Sequence, residues 1–319
     1  MRISVVVPLL NEEGNLRELH GRLVQTLDAL QAERQIIFVD DGSTDRSGAV
    51  IEEIAASDST VTGLRFSRNF GHEAASTAGV DYATGDAVVL MDGDLQDPPE
   101  VITEMVRKWR EGHDIVLAVR RKRQGESRFK KFTSWMFYRI LNVLAEVEIP
   151  ADAGDFRLID AKVVQALRRM REQDRFFRGM VAWTGFRTVE VLYDRPARRS
   201  GETKYRPLKL LLLSVDAAVG FSIKPLRIAT ATGFLVTLVS LEEAARIFLY
   251  KLIWGIDLPG YALLAVGLFF LGGVHMLLLG VIGEYIARIY RQSQNRPLYI
   301  VREVVQQQKS LSCPTGFSS

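Results

Sequence analysis

The stretch "VVLMDGDLQDPPE", residues 88–100, begins as a fully apolar strand signal and ends in carboxylates, with Asp92, Asp94 and Asp97 inside six positions. Asp, Gly and Pro are ordinary turn residues, so a solvated turn is one reading of the run. Three acids this close repel one another unless a cation offsets them. The carboxyl end of a strand is also where open α/β sheets bind ligands. Asp97 with Pro98 and Pro99 fits the end of the turn and the start of a helix, where proline suits the first position. For Asp92 and Asp94 the chemistry at issue is therefore the holding of a divalent cation.

Those acids need elements to position them. The first half of the chain alternates strand and helix signals: "ISVVVPLL", "QIIFVDDGSTD", "VTGLRFS", "DAVVLMDGD" and "DIVLAVR" read as strands, separated by stretches with apolar residues at helical spacing such as Leu16, Leu19, Leu23, Leu27 and Leu30. The alternation predicts an α/β fold with a mostly parallel sheet and helices on both faces. In such a sheet the first, second and fourth strands end on one edge, bringing Asn11 and Glu12, Asp40 and Asp41, and Asp92 and Asp94 to it. A constellation drawn from three strands is far less expected by chance than one D-x-D. No G-x-G-x-x-G follows the first strand and no G-x-x-x-x-G-K-[ST] occurs, which disfavours dinucleotide and P-loop readings.

Composition bounds the partners. The chain of 319 residues is 47% hydrophobic and carries a formal charge of +3, but the charge is uneven. "RRKRQGESRFKK" (120–131) has seven basic residues against one acid, and "RPARRSGETKYRPLK" (195–209) has six against one. Such runs suit anionic partners such as phosphates or lipid headgroups. They lack the interleaved aromatic platform of a nucleic-acid site, so no nucleic acid is expected. A single cysteine, Cys313, excludes an internal disulfide and fits a reducing compartment. The apolar run of "MRISVVVPLL" breaks at Pro8, unlike a cleavable leader, so the first half is expected in the cytoplasm.

The second half changes character. Residues 258–283 contain no Asp, Glu, Lys or Arg over 26 positions, enough to span a bilayer, which needs about 20 apolar residues. A weaker span, 228–250, holds Glu242, Glu243 and Arg246; Glu242 and Arg246, four apart, are placed to pair. Lys224, Arg227, Arg288, Arg291 and Arg296 flank this hairpin on one side, which puts both termini in the cytoplasm. "PLKLLLLSVDAAVGFS" reads as a helix lying along the membrane surface, with packing in the core as the alternative. The expected organisation is a cytoplasmic catalytic domain over 1–206, an interfacial amphipathic helix over 207–223, a two-span transmembrane hairpin over 224–290 and a cytoplasmic tail over 291–319, in the inner (plasma) membrane.

"VVVPLLNEEGN", "FVDDGSTDRS", "MDGDLQDPPE", "AGDFRLID" and "RRSGETKYRPLKL" occur in this order. Together they resemble the family 2, GT-A fold glycosyltransferases, in the polyprenyl-phosphate branch that includes dolichyl-phosphate mannose synthases and bacterial polyprenyl-phosphate glucosyltransferases. The resemblance extends to about residue 303, through "SIKPLRIAT", "GVIGEYIARIY" and "RPLYIV". It implies inverting transfer of a sugar from a nucleotide sugar to polyprenyl phosphate, with UDP-glucose as the expected donor and GDP-mannose or another nucleotide sugar as the alternative.

The chemistry of the residues agrees. A diphosphate leaving group develops charge that Mg²⁺ or Mn²⁺ offsets as a Lewis acid. Such hard cations take oxygen ligands, which Asp94 and the Gln96 carbonyl supply at i, i+2 spacing. By resemblance, Asp92 lies at the ribose and metal edge beside Gly93, and Pro8, Asn11, Glu12 and Asp40 line the nucleobase and ribose pocket. Asp41 is read either as part of that pocket or as a cap on the following helix. Asp155 matches the position of the branch's general base. The second pKa of a phosphate monoester is near 6, so the acceptor barely needs a base at neutral pH and orientation is the alternative role. Arg123, Ser127, Arg128 and Lys131, with Arg199 and Lys204, are candidates to hold the acceptor phosphate and the diphosphate. The acids of the first span suggest a homo-oligomer that shields them from lipid. A catalytically silent membrane adaptor would share the fold, but a relieved site would be expected to lose its costly like charges. A processive polysaccharide synthase would carry Q-x-x-R-W, which is absent.

Overall fold

The protein is described here by a computed structural model covering residues 1–121, 153–194, 224–254 and 260–307. The amphipathic helix expected over 207–223 lies outside the described residues. The chain forms two compact units, one carrying the sheet, to which residues 296–307 belong, and one containing the long C-terminal helices.

In the sheet-bearing unit the five expected strands form: β1 (Arg2–Leu9), β2 (Glu33–Asp40), β3 (Val61–Phe66), β4 (Ala87–Leu90) and β5 (Ile115–Arg120). Three more join them: β6 (Ala153–Asp160), β7 (Thr188–Tyr193) and β8 (Val301–Gln306). The order across the sheet is β7-β5-β6-β4-β1-β2-β3-β8, and β6 and β8 run antiparallel to their neighbours. The apolar runs of β1, β2 and β4 are buried on both faces, which is why they read as continuous rather than alternating. Helices α1 (Leu16–Ala29), α2 (Ser47–Ser57) and α4 (Val101–Arg110) share one layer. Helices α3 (His72–Tyr82), α5 (Ala161–Arg169) and α6 (Phe177–Trp183) share the other. The chain winds outward from β1 through β2 to β3, then crosses to β4 on the opposite side of β1. A crevice at the carboxyl ends of β1 and β4 follows from that reversal.

Two features set the edge. β6 runs against β4, with Leu90 opposite Arg157, so the beginning of β6 meets the end of β4. Helix α3 lies tight on the sheet because it is built of small residues, Ala74, Ala75, Ser76, Ala78 and Gly79. A Cβ at Gly79 would come within 2.0 Å of the buried Val6 side chain. A β-branched side chain packed in the sheet cannot swing away, so Gly79→Ala is expected to lower unfolding stability by about 1–3 kcal/mol, read from denaturant midpoints.

Residues 301–306, set apart in a tail by the sequence reading, extend the sheet as β8 beside β3. Tyr299, just before it, stacks on Phe66 and donates its hydroxyl to Asp81 at the end of α3. Asp81 also accepts a two-pronged bond from Arg171. The segment leaving the last long helix is thereby fixed to the sheet at one edge and to α3.

The second unit contains α7 (Lys224–Trp254) and α8 (Tyr261–Ser293). Among the described residues one stretch, Phe270–Ser293 in α8, is long and apolar enough to cross a membrane, with a mean hydropathy of 1.6. The apolar run of α7 is interrupted by Glu242, Glu243 and Arg246. Arg246 pairs with Glu243, at 2.8 Å from Nε to Oε2, rather than with Glu242 as the spacing suggested. The i, i+3 neighbour is equally near on a helix, and here it is the one that meets the guanidinium.

Candidate active site

The loops after β1 and β2 lock together. Asn11, in the left-handed region at φ 58°, accepts from Thr44 N–H at 2.8 Å through its side chain, and its own N–H donates to Ser43 Oγ at 2.9 Å. Glu12 N–H donates to Ser47 Oγ. Asp40, buried, accepts from Ser43 N–H at 2.8 Å across the turn at Gly42. Gly42 has φ 75°, and a Cβ there would stand 2.7 Å from the backbone of Arg68. Arg65 Nε lies 3.8 Å from Asp40 Oδ2, so a guanidinium on β3 faces a carboxylate on β2. Pro8, Asn11, Glu12, Asp40 and Asp41 thus occupy one stretch of the edge, as the topology requires.

Asp41 does not cap the following helix. Its two oxygens accept from Phe70 N–H at 2.7 Å and Gly71 N–H at 2.9 Å, fastening the corner that opens α3. Burial raises its pKa, and the two N–H bonds oppose that rise. Neither pocket nor cap was the whole reading: the partner lies about thirty residues downstream, where spacing along the sequence gives no sign of it.

After β4 the chain turns through Gly93, buried, and Leu95, left-handed at φ 60°. Asp94 accepts from Gln96 N–H at 3.0 Å, which closes the turn. Gln96 is buried, and its Nε2 meets no partner among the described residues. Asp97 is 1% exposed and accepts from Tyr193 Oη at 2.5 Å, tying the loop to β7. Its role in the turn therefore includes a buried anchor that sequence did not indicate. The desolvated Tyr193 hydroxyl, beside that carboxylate, has its pKa raised.

Asp92 and Asp155 meet across the β4–β6 junction, with His72 of α3 between them. His72 Nε2 is 3.8 Å from Asp92 Oδ1 and 3.8 Å from Asp155 Oδ2. One ligand-capable atom from each of the three lies within 4.8 Å of the others. Burial pushes Asp92 up to about 6; the charges of Asp97, Asp155 and Asp94 add to the rise and His72 opposes it. Asp92 still opens 30% of its side chain to solvent at the mouth of the crevice.

Asp155 is set differently. Arg178, from α6, grips it with Nε on Oδ1 and Nη2 on Oδ2, both at 2.8 Å. Arg157, 2% exposed, adds Nη2 at 3.4 Å and also donates to the Gly154 and Asp155 carbonyls. Burial alone would raise this carboxyl, but the Arg178 fork and the two guanidinium charges outweigh it and hold it at about 2. Two neighbouring carboxylates thus differ by several pKa units because one is clamped by arginine and the other is buried with no such clamp, with acids beside it adding to the rise.

The structure therefore brings Asp92 and Asp155 together and places Asp94 and Gln96 in the adjoining turn. Arg123, Ser127, Arg128, Lys131, Arg199 and Lys204 lie outside the described residues. Sequence reasoning missed His72, Arg157 and Arg178. The available signals were the position of His72 at the start of the helix that follows the third strand and of Arg157 within "AGDFRLID"; for Arg178 no local signal exists.

Comparison with known proteins gives a family. Residues 4–168 match the model described as Glycosyl transferase family 2. The chain is 45% identical over 304 residues to an uncharacterized glycosyltransferase of Synechocystis sp., covering 95% of this chain and 96% of that protein. It is 40% identical over 304 residues to a prophage bactoprenol glucosyl transferase homolog of Escherichia coli, covering 95% of this chain and 99% of that one. The crystal structure of mannosyl-3-phosphoglycerate synthase from Rubrobacter xylanophilus shares the fold, with a TM-score of 0.51 at 15% identity over 70% of this chain and 74% of that chain. The matched model and the near full-length relatives, on a mostly parallel sheet of GT-A architecture, place this chain in glycosyltransferase family 2, and it is a glycosyltransferase.

Proposed function

We propose that the protein transfers glucose from UDP-glucose to a polyprenyl phosphate, of undecaprenyl type, at the cytoplasmic face of the plasma membrane, with inversion at the anomeric carbon. The observation that carries this is the convergence of Asp92, Asp94 and an arginine-clamped Asp155 on one crevice of the sheet. The bactoprenol glucosyl transferase named among the near full-length relatives supports the choice of sugar and lipid.

The donor set fits a hard divalent cation, Mg²⁺ or Mn²⁺. Carboxylates two positions apart sit on one tight turn, and the adjoining Gln96 can add a carbonyl oxygen. Asp94, Asp92 and Gln96 would hold the ion, which supplies charge neutralisation to the diphosphate leaving group when bound. Pro8, Asn11, Glu12, Asp40 and Asp41 form the nucleoside side of the crevice, Asp41 acting through the corner it fastens.

An oxygen of the acceptor phosphate attacks the anomeric carbon while the bond from that carbon to the diphosphate breaks, releasing UDP. The acceptor is largely dianionic at neutral pH. A carboxylate held at about 2 is a weak proton acceptor there. Asp155 therefore orients groups through Arg178 rather than removing a proton. The basic runs at 120–131 and 195–209 receive the acceptor phosphate.

Helices α7 and α8 form a two-span hairpin with both termini cytoplasmic, the Glu243–Arg246 pair softening the cost of charge in α7. A homo-oligomer shields Glu242.

A transfer assay tests the reading. Purified protein in detergent is offered undecaprenyl phosphate and a panel of radiolabelled nucleotide sugars, with Mg²⁺ or Mn²⁺ and with EDTA. Label is expected in the lipid phase from UDP-glucose and not after chelation. Lipid product from a different donor reassigns the sugar, and none from any donor overturns the reading.

A further inference from the structure

His72 is the first residue of α3, immediately after Gly71, whose φ of 98° turns the chain into the helix. Asp41 holds this corner through the Phe70 and Gly71 N–H groups, and the small residues of α3 seat the helix on β1. The imidazole therefore reaches the sheet edge from a fixed backbone. With bonds of about 2.1 Å, two ligands of one ion stand about 3.0 Å apart when adjacent and about 4.2 Å when opposite. The 3.8 Å between His72 Nε2 and Asp92 Oδ1 falls inside that span.

Asp155 passes the same distance test but not the chemical one. Both of its oxygens accept from the Arg178 fork, and two guanidinium groups beside it repel a cation. The cluster divides: Asp155 belongs to the arginines, and His72 and Asp92 face the cation. We propose that His72 is a nitrogen ligand of the donor-site divalent cation, paired with Asp92. The proposal rests on the cation-assisted transferase reading above and adds a ligand from a helix outside the D-x-D turn. Mn²⁺ accepts an imidazole nitrogen more readily than Mg²⁺, which dehydrates reluctantly and keeps to oxygen. One nitrogen in an otherwise oxygen set thus tilts the site toward Mn²⁺.

The test uses the full chain in detergent with UDP and Mn²⁺, read by pulsed electron paramagnetic resonance for coupling of the Mn²⁺ spin to ¹⁴N, and by Mn²⁺ and Mg²⁺ titration. Wild type is expected to show the ¹⁴N coupling. His72→Ala and His72→Gln lose it and bind Mn²⁺ about tenfold or more weakly, while Mg²⁺ affinity changes less. Thermal unfolding of the two variants checks that the fold persists. Mn²⁺ bound without ¹⁴N coupling, or coupling that survives in folded His72→Ala, overturns the ligand assignment and leaves the transferase reading intact. No Mn²⁺ bound to wild type in the presence of UDP overturns the cation reading itself.

Discussion

Asp94→Ala is expected to lower kcat/KM for sugar transfer by at least about 10³-fold, equivalent to about 4 kcal/mol of transition-state stabilisation. The departing diphosphate gains negative charge as the anomeric bond breaks, and groups arranged in advance to meet that charge act where water is excluded. Removing one donor from such a site costs about 10²–10³ in other enzymes, and Asp94 carries more because its loss also loosens a divalent charge. Asp94 is half-buried, and its bond to Gln96 N–H is local to the turn. Its charge is one of those that raise Asp92, so its removal relieves repulsion. The melting temperature is therefore expected to stay level or rise slightly. The measurement is initial-rate transfer of labelled sugar into lipid, beside a thermal melt of the same preparation. Activity within tenfold of wild type would remove Asp94 from the cation site.

How far the sequence reached depended on whether a feature was carried by neighbours along the chain. The strand-then-acid pattern at Leu9–Glu12, Asp40–Asp41 and Leu90–Asp94 is local, and parallel topology alone sends those ends to one edge. β6, β7 and β8 were not legible in the same way. "VREVVQ" is six residues long and becomes a strand only because β3, some 240 positions earlier, offers an open edge. The antiparallel turn of β6 decides that Asp155 faces Asp92, and no periodicity within "AGDFRLID" states its direction. Arg178 is an arginine among many until α6 is packed against α3 and α5. Its partner is 23 positions away, on a strand the helix does not follow directly. Asp41 shows the converse: its place at a strand end marked it as functional, yet both of its oxygens serve the corner before His72. Its function is exerted through position rather than contact. The helices of the second unit were legible as long apolar runs, while which acid of α7 meets Arg246 depended on side-chain packing that spacing leaves open.

Arg178→Ala is expected to cut kcat by about 10²-fold at neutral pH with little change in KM for the nucleotide sugar, because what it removes is the orientation of Asp155. The fork holds both carboxylate oxygens at 2.8 Å, and without it the carboxylate keeps, among the described residues, the longer contacts to Arg157 and His72. The sign of the pH effect follows from the opposing influences on that group. Burial is the largest and raises its pKa; the Arg178 bonds and charge bring it down to about 2. Removing the arginine lets burial prevail, so the acid limb of the kcat profile moves upward toward neutral pH. Stability moves with it. A carboxyl depressed from about 3.9 to about 2 contributes roughly 2 kcal/mol of folding stability above pH of about 4, lost as pH falls toward 2. The variant forfeits much of this at neutral pH and should melt lower, by an amount that shrinks in acid. Arg178→Lys restores the charge but not the planar fork and is expected to recover the acid limb more fully than kcat. Asp155→Asn is expected to cost about as much in kcat as Arg178→Ala, and the double variant no more than the worse single one, since residues that act as a unit are not additive. Strict multiplication of the two losses would show that arginine and aspartate act separately, and a clamped Asp155 would then have no part in orienting the acceptor.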